Sequence, residues 1–459
     1  MLYRINSIYI LISLCMISFQ SSSQQRKTIE KLLSTIEKSE LMNNTFTFSP
    51  DFRRVAFRTT EGKKQLISIN GMKGKTYDAV GTPVFSPDGN HFAYSARNGT
   101  NWFLVDDVKE TPIEPSSTIS AYIYSPDSRN IAYVVNDGHK NHIVYNGNTG
   151  NKYDYINENS ITFSSDSKRI AYCAKKETKN LIVFDDVEST SYDETGYPVL
   201  SQNGKHMAFW AVGNKKVYAV IDNQESEPYD NINSIFYSPN GKHCAFHAIR
   251  DSKHVMVLDG VESEKYDLIH TPVFSADGSH LAYAVQLSKG NKEGYKHCVI
   301  LDGKKLKVFE TVIEGSLLFS HDGKDIAYKA EDDDAFFMVI NEQEGKHYSD
   351  VLQVTSVFST DNKRFAYVAE KDSKRMVNVD GSESKPYSNI YNICFSPDLK
   401  RVAYSVNQNN KEFVVVDGNS SEPYELIMGQ GEIVFDSPDT FHYIAMKNNN
   451  IYLVEESFQ

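Results

Sequence analysis

No stretch of this chain approaches the roughly 20 consecutive apolar residues that a bilayer-crossing helix needs. The longest apolar run, residues 8–19, is about half that length, so no stable membrane span is expected. Basic residues are outnumbered, 48 Lys and Arg against 60 Asp and Glu, and the formal charge of -12 argues against nucleic acid as a partner. Cysteine is scarce. Of five, Cys15 lies in the apolar run, while Cys173, Cys244, Cys298 and Cys394 stand in separate strand-like stretches, without the close spacings of zinc sites or disulfide frameworks. They read as buried free thiols, although their even number leaves a pairing open. No G-x-S-x-G pentapeptide occurs, which removes a serine hydrolase of the nucleophile-elbow type.

What is present falls into three zones. Residues 1–23 combine Arg4, the apolar run and the small residues Ser21, Ser22 and Ser23, the pattern of a secretory signal peptide. The expected location is therefore periplasmic or extracellular. Leu14 stands where a lipobox places a small residue, so a lipid anchor at Cys15 is not expected. Over residues 26–42, Ile29, Leu32, Leu33, Ile36 and Leu41 recur near helical spacing and predict a short helix. Residues 44–459 are occupied by one repeat.

The repeat is a phrase of the form aromatic-Ser-Pro-Asp-Gly followed by apolar-Ala-aromatic. Its leading positions are Phe48, Phe85, Tyr124, Phe163, Leu200, Tyr237, Phe274, Phe319, Phe358, Phe395 and Phe435, at intervals of 37 to 45 residues. Ala56, Ala93, Ala132, Ala171, Ala208, Ala245, Ala282, Ala327, Ala366 and Ala403 each fall eight residues after a leading position. In the phrase, Pro87 presets φ for a type I turn, Asp88 suits the next position, and Gly89 takes the left-handed one. The flanking stretches alternate with period two, as strands a and b. A third strand ends on Asp-Gly or Asn-Gly, as at Gly71, Gly260, Gly303 and Gly418, the signal of a hairpin into strand d, which carries Tyr77, Tyr153, Tyr229 or Tyr266. Four strands per unit make a propeller blade, so the fold class is all-β, a β-propeller of about eleven WD-like blades. The last copy stops without a Tyr-Asp strand, and its outer strand is missing or supplied from elsewhere; an N-terminal strand near Thr45 is a candidate to close the ring.

These residues resemble the WD-like propeller repeat of the TolB-type family over the blades alone; the domain that precedes the propeller in TolB has no counterpart here. The resemblance implies fold rather than function, because such blades serve scaffolds, lone propellers and enzymes alike. Eleven units exceed the usual four to eight blades. Two tandem propellers, split near residue 230, therefore compete with one wide ring.

Candidate chemistry is sparse. His243 and His247, four apart, flank a repeat alanine on a strand and do not read as a metal pair; residues 331–334 read as a solvated acidic hairpin tip. No metal, cofactor or catalytic motif is expected. Binding residues usually occupy variable connections on a rigid scaffold. The b–c and d–a connections, among them 97–100, 287–295, 331–334 and 407–410, are expected to form the variable face. Strand a is innermost, so Asn159, Asn233, His270, Glu314, Gln353 and Gln430, lying at or just before it, are expected to ring the channel mouth and hold a protein or polysaccharide ligand. The alternative is a lyase- or glycosidase-type propeller enzyme, for which His270 and Glu314 are the paired candidates.

Overall fold

The structure, a computed structural model, describes residues 26–36, 46–287 and 295–458, with residues 353–355 described by their backbone only. The signal-peptide zone with Cys15, and most of the 287–295 loop, lie outside the described residues. Eleven antiparallel sheets follow one another, numbered here as blades 1 to 11 from Phe48 to Phe435. Blade 6 is representative: Asn231–Tyr237 (strand a), Cys244–Arg250 (b), Lys253–Leu258 (c) and Val261–Glu262 (d). Strand d then continues through a bridge from Tyr266 to His254. In several blades strand a is split, as in blade 7, where Leu268–Ile269 and Val273–Phe274 both pair with Leu281–Leu287.

Local chemistry explains the turns. Ser86 is fully buried; its hydroxyl donates to Asp88 Oδ1 at 2.6 Å and accepts from the His91 amide at 2.9 Å, clamping both ends of the a–b turn. Gly89 has φ +71°, as the turn requires. The aspartate of the c–d hairpin then ties that turn to the start of strand b: Asp107 Oδ1 accepts from the Phe92 amide at 3.1 Å, and Asp259 Oδ1 from Cys244 at 2.9 Å.

Packing between blades supplies the core. All ten repeat alanines are fully buried, and the aromatic residue after each faces the preceding blade. In most blades it meets the strand-d tyrosine there edge to face, as in Tyr229–Phe246 at 5.6 Å and Tyr192–Phe209 at 6.0 Å, and Tyr443 of blade 11 meets Tyr424 in the same way. The same tyrosines donate to a glutamate on the next blade's outer strand: Tyr153 to Glu188, Tyr192 to Glu225 and Tyr229 to Glu262, at 2.9–3.0 Å. The apolar contacts form clusters that each join two consecutive blades. The one at residue 230, containing Tyr229 and Ile232, is of the same kind as its neighbours. A further cluster joins Val55 and Phe57 of blade 1 to Ile444 and Leu453 of blade 11. The blades thus form one closed ring, without a break into two propellers.

The N-terminal segment corrects the sequence expectation. Arg26–Thr35 is a strand, not a helix, and it pairs antiparallel with Asn450–Phe458 as the missing strand d of blade 11. Without it, Asn450–Phe458 would expose a row of unpaired backbone groups, and an isolated helix of this length is marginal in water. A bulge between Leu32 and Ser34 accommodates the helix-like spacing. Leu33 and Ile36 are buried, whereas Ile29 and Leu32 are half exposed. Glu30 even takes over the inter-blade role, accepting from the Tyr424 hydroxyl at 2.8 Å. Thr47–Phe48, next to the expected closing strand near Thr45, is instead the innermost strand of blade 1; Thr45 itself lies outside the described residues.

Candidate functional site

The expected variable face is less variable than its sequence suggests. Segments 97–100, 331–334 and 407–410 contain two-residue hairpin turns; Asp333, Asp334, Asn409 and Asn410 all have φ between +50° and +60°. Diversity lies instead inside the blades, two residues beyond each repeat alanine, on the same side of strand b. That position holds Val134, Cys173, Trp210, His247, Ala284, Lys329, Val368 and Ser405 in successive blades. It abuts strand a near the channel; His247, Lys329 and Ser405 are buried there, whereas Arg58 at the same position of blade 1 is exposed.

In blades 6 to 8 this produces a connected polar cluster. Asn233, in the bulge between Ile232 and Ser234, places its Nδ2 3.3 Å from His247 Nδ1, and His247 Nε2 lies 2.8 Å from His254 Nδ1. An amide nitrogen only donates, so His247 accepts on Nδ1 and carries its proton on Nε2, which donates to His254. That assignment requires a neutral imidazole. Burial, reinforced by His254 and His270, lowers the His247 pKa to about 4. His254 and His270 are also lowered, chiefly by burial, against the opposing pull of Asp267 and Glu314 respectively.

Farther along the wall, the His270 and His297 rings lie 6.0 Å apart, and His297 Nδ1 donates to the Glu310 carbonyl at 2.7 Å. His270 Nδ1 is 3.5 Å from Glu314 Oε2, while Thr271 Oγ1 is 3.5 Å from Glu314 Oε1. Glu314 is well exposed and His270 largely covered. The cluster therefore runs from the buried, neutral His247 ring and its half-buried partner His254 to an exposed carboxylate. In blade 8 the equivalent strand-b position holds the buried Lys329, whose ammonium pairs with Asp350 of blade 9.

Of the expected site residues, Asn233, His270 and Glu314 come together. Asn159 is exposed in a 3-10 turn of blade 4, and Gln430 is exposed at φ +62° in blade 11; neither joins the cluster. Gln353 lies in Asp350–Phe358 of blade 9, with its side chain outside the described residues. His247, His254, His297, Trp210 and Lys329 were missed as site residues. Aligning the repeats on their alanines and reading two residues on would have exposed His247, Trp210 and Lys329. His243, expected to be no metal partner of His247, pairs instead with Asp259 at 2.6 Å, at the opposite end of strand b. Among the described residues no group of three His, Cys, Asp or Glu side chains is arranged to hold a metal ion. Cys173, Cys244, Cys298 and Cys394 are free thiols, with pKa values raised by burial.

Beside Asn233, a cavity of about 390 Å³ opens between the inner parts of blades 5 and 6, lined in part by Tyr197, Trp210 and Ser234. Other cavities lie between blades on the opposite face, for example one of about 640 Å³ between blades 5 and 6 near Asp222 and Asp259.

No family model and no curated protein matches the sequence. Similar solved structures include the crystal structure of the eukaryotic initiation factor, at 13% identity over 73% of this chain and 96% of that one, with a TM-score of 0.41. Another is the β-propeller domain of the Trilobed protease from Pyrococcus furiosus, at 14% identity over 60% of this chain and 98% of that one, TM-score 0.30. The Dos1 propeller is 10% identical over 81% of this chain and 90% of that one, TM-score 0.30.

Proposed function

We propose that this chain is a non-enzymatic binding protein of the cell envelope or exterior, which presents the channel mouth of a rigid propeller to a protein or polymer ligand. The observation that carries this reading is the convergence of Asn233, His247, His254, His270, His297 and Glu314 on one arc of blades 6 to 8, where a repeat built for packing departs from its own pattern. Asn233, His247, His254 and His297 are fixed on strands, and His270 and Glu314 in short connections between them, so little ordering entropy is lost on binding. Export is supported by Arg4, the apolar run of residues 8–19 and the serines that follow. Membership of the TolB-type repeat family is supported by the Ser-Pro-Asp-Gly phrase alone. Among the described residues no helix is long and apolar enough to cross a membrane.

The test is affinity capture from envelope extract and on a glycan array, comparing the chain from residue 24 onward with an Asn233→Ala/His270→Ala/Glu314→Ala variant. A ligand retained by the first and lost by the second is expected. Equal retention by both would remove the site. A second reading, a lyase- or glycosidase-type enzyme, is favoured by one observation, the His270–Glu314 pair, which has the composition of an acid–base couple. Release of reducing ends or unsaturated products from a captured polysaccharide, abolished by Glu314→Gln, would establish it in place of the binding reading.

A further inference from the structure

The cavity beside Asn233 has features that the titratable cluster lacks. Its lining contains no charged side chain. Three aromatic residues border it, the buried Phe209 and the more accessible Tyr197 and Trp210. Tyr197 is 53% exposed and stands where the corresponding inner-strand positions of other blades hold small or polar residues such as Thr82 and Thr271. Trp210 lies against the Gly196 backbone so closely that a Cβ on Gly196 would come within 2.3 Å of the indole nitrogen. Glycine is therefore required for the indole to lie there. Around the rings stand the Thr195 and Ser234 hydroxyls and the Asn233 amide, whose Oδ1 already accepts from Asn231 at 2.8 Å. Asn157 of blade 4 reaches toward the Tyr197 hydroxyl from the other side, at 3.5 Å.

From this geometry we infer that the wall between blades 5 and 6 is a subsite for a neutral sugar ring of a polysaccharide. This rests on the binding reading proposed above and names its ligand class. A pyranose has an apolar face of C–H bonds and a rim of hydroxyls, and the cavity pairs aromatic surface with a rim of uncharged donors and acceptors. An anionic sugar or a nucleotide would find no cation in the lining to compensate its charge, in a protein of net charge -12. An apolar peptide side chain would leave the polar rim unpaired. The volume, about 390 Å³, lies within the usual range of small-ligand sites.

The chain has two tryptophans, Trp102 and Trp210, so a Trp102→Phe background makes emission a direct reporter of Trp210. Chitohexaose, cellohexaose, hexagalacturonate and an uncharged phenylalanine-containing hexapeptide are titrated separately. A saturable change in Trp210 emission is expected with at least one of the two neutral hexasaccharides, with the apparent Kd raised about tenfold or more, over 1.4 kcal/mol, by Tyr197→Ala or by Asn233→Ala. Tyr197 is largely exposed, so Tyr197→Ala keeps the fold, as circular dichroism would verify. The inference is overturned by no response to either neutral hexasaccharide, by an unchanged Kd in both variants, or by stronger binding of hexagalacturonate or the peptide. If Trp210 stays silent while the Asn233/His270/Glu314 variant loses a captured ligand, the sugar subsite fails and the binding reading stands.

Discussion

Arg26 carries the prediction with the largest calculable effect. Its Nε pairs with Glu456, whose side chain is fully buried; one guanidinium nitrogen donates to the Asn419 carbonyl at 3.0 Å, and the group lies 5.1 Å from the Phe441 ring centre. Burial lowers even the Arg26 pKa, to about 10. The other Glu456 oxygen accepts from the Tyr443 hydroxyl. Arg26→Ala therefore strands a buried carboxylate with a single neutral donor, and removing one partner of a buried pair costs about 3–5 kcal/mol. Because each blade contacts only its neighbours, the loss should appear as local opening of the closing strand. At 1.36 kcal/mol per tenfold, hydrogen exchange across residues 26–35 should accelerate by roughly two to nearly four orders of magnitude. Blade 5, across the ring, should be unaffected. An Arg26→Met/Glu456→Leu double variant should recover most of the protection, since an apolar pair of similar volume is commonly neutral or better. Acceleration below about fivefold, or a double variant as labile as the single one, would refute the reasoning.

Three further outcomes are expected. His247 has a folded pKa depressed below its unfolded value, so the native state favours the neutral ring. The stability it contributes is present above pH 6.5 and lost as pH falls toward about 4, by about 3 kcal/mol in full; urea midpoints at pH 7 and 4.5 should converge in His247→Asn, and an unchanged pH dependence would count against the buried neutral ring. Leu399 occupies the left-handed turn position at φ +64°, where Gly89 stands in blade 2. Leu399→Gly should stabilise blade 10 by about 0.5–1 kcal/mol, read as slower exchange in that blade. Ser86→Ala removes the acceptor for the His91 amide and the donor to Asp88, and should cost about 1–3 kcal/mol, measured by urea denaturation followed by circular dichroism.

The candidate site was legible only in part. Asn233, His270 and Glu314 could be placed because strand a is innermost and its start can be read from the repeat. Their partners could not be named. His247 and His254 sit on adjacent strands of one blade, but His270 meets Glu314 across 44 positions of sequence, through contact between blades. Asn159 and Gln430 satisfied the same sequence criterion and lie on other arcs of the ring. The loops looked variable because their residues differ, yet Asn, Asp, Ser and Gly all satisfy the same two-residue turn.

The sequence by itself determined the blades: period-two alternation, Ser-Pro-Asp-Gly turns and Asp-Gly hairpins act over a few residues, so eleven copies of one pattern fold into eleven copies of one sheet. Only the tertiary structure decided how those sheets were joined. Whether blade 5 meets blade 6 as blade 4 meets blade 5 depends on faces packing across the gap, which no local pattern encodes. The same holds for residues 26–35, where helical spacing was overridden by an unpaired strand edge more than 400 residues away. A strand edge with no partner in its own repeat takes the segment that the closing ring brings beside it.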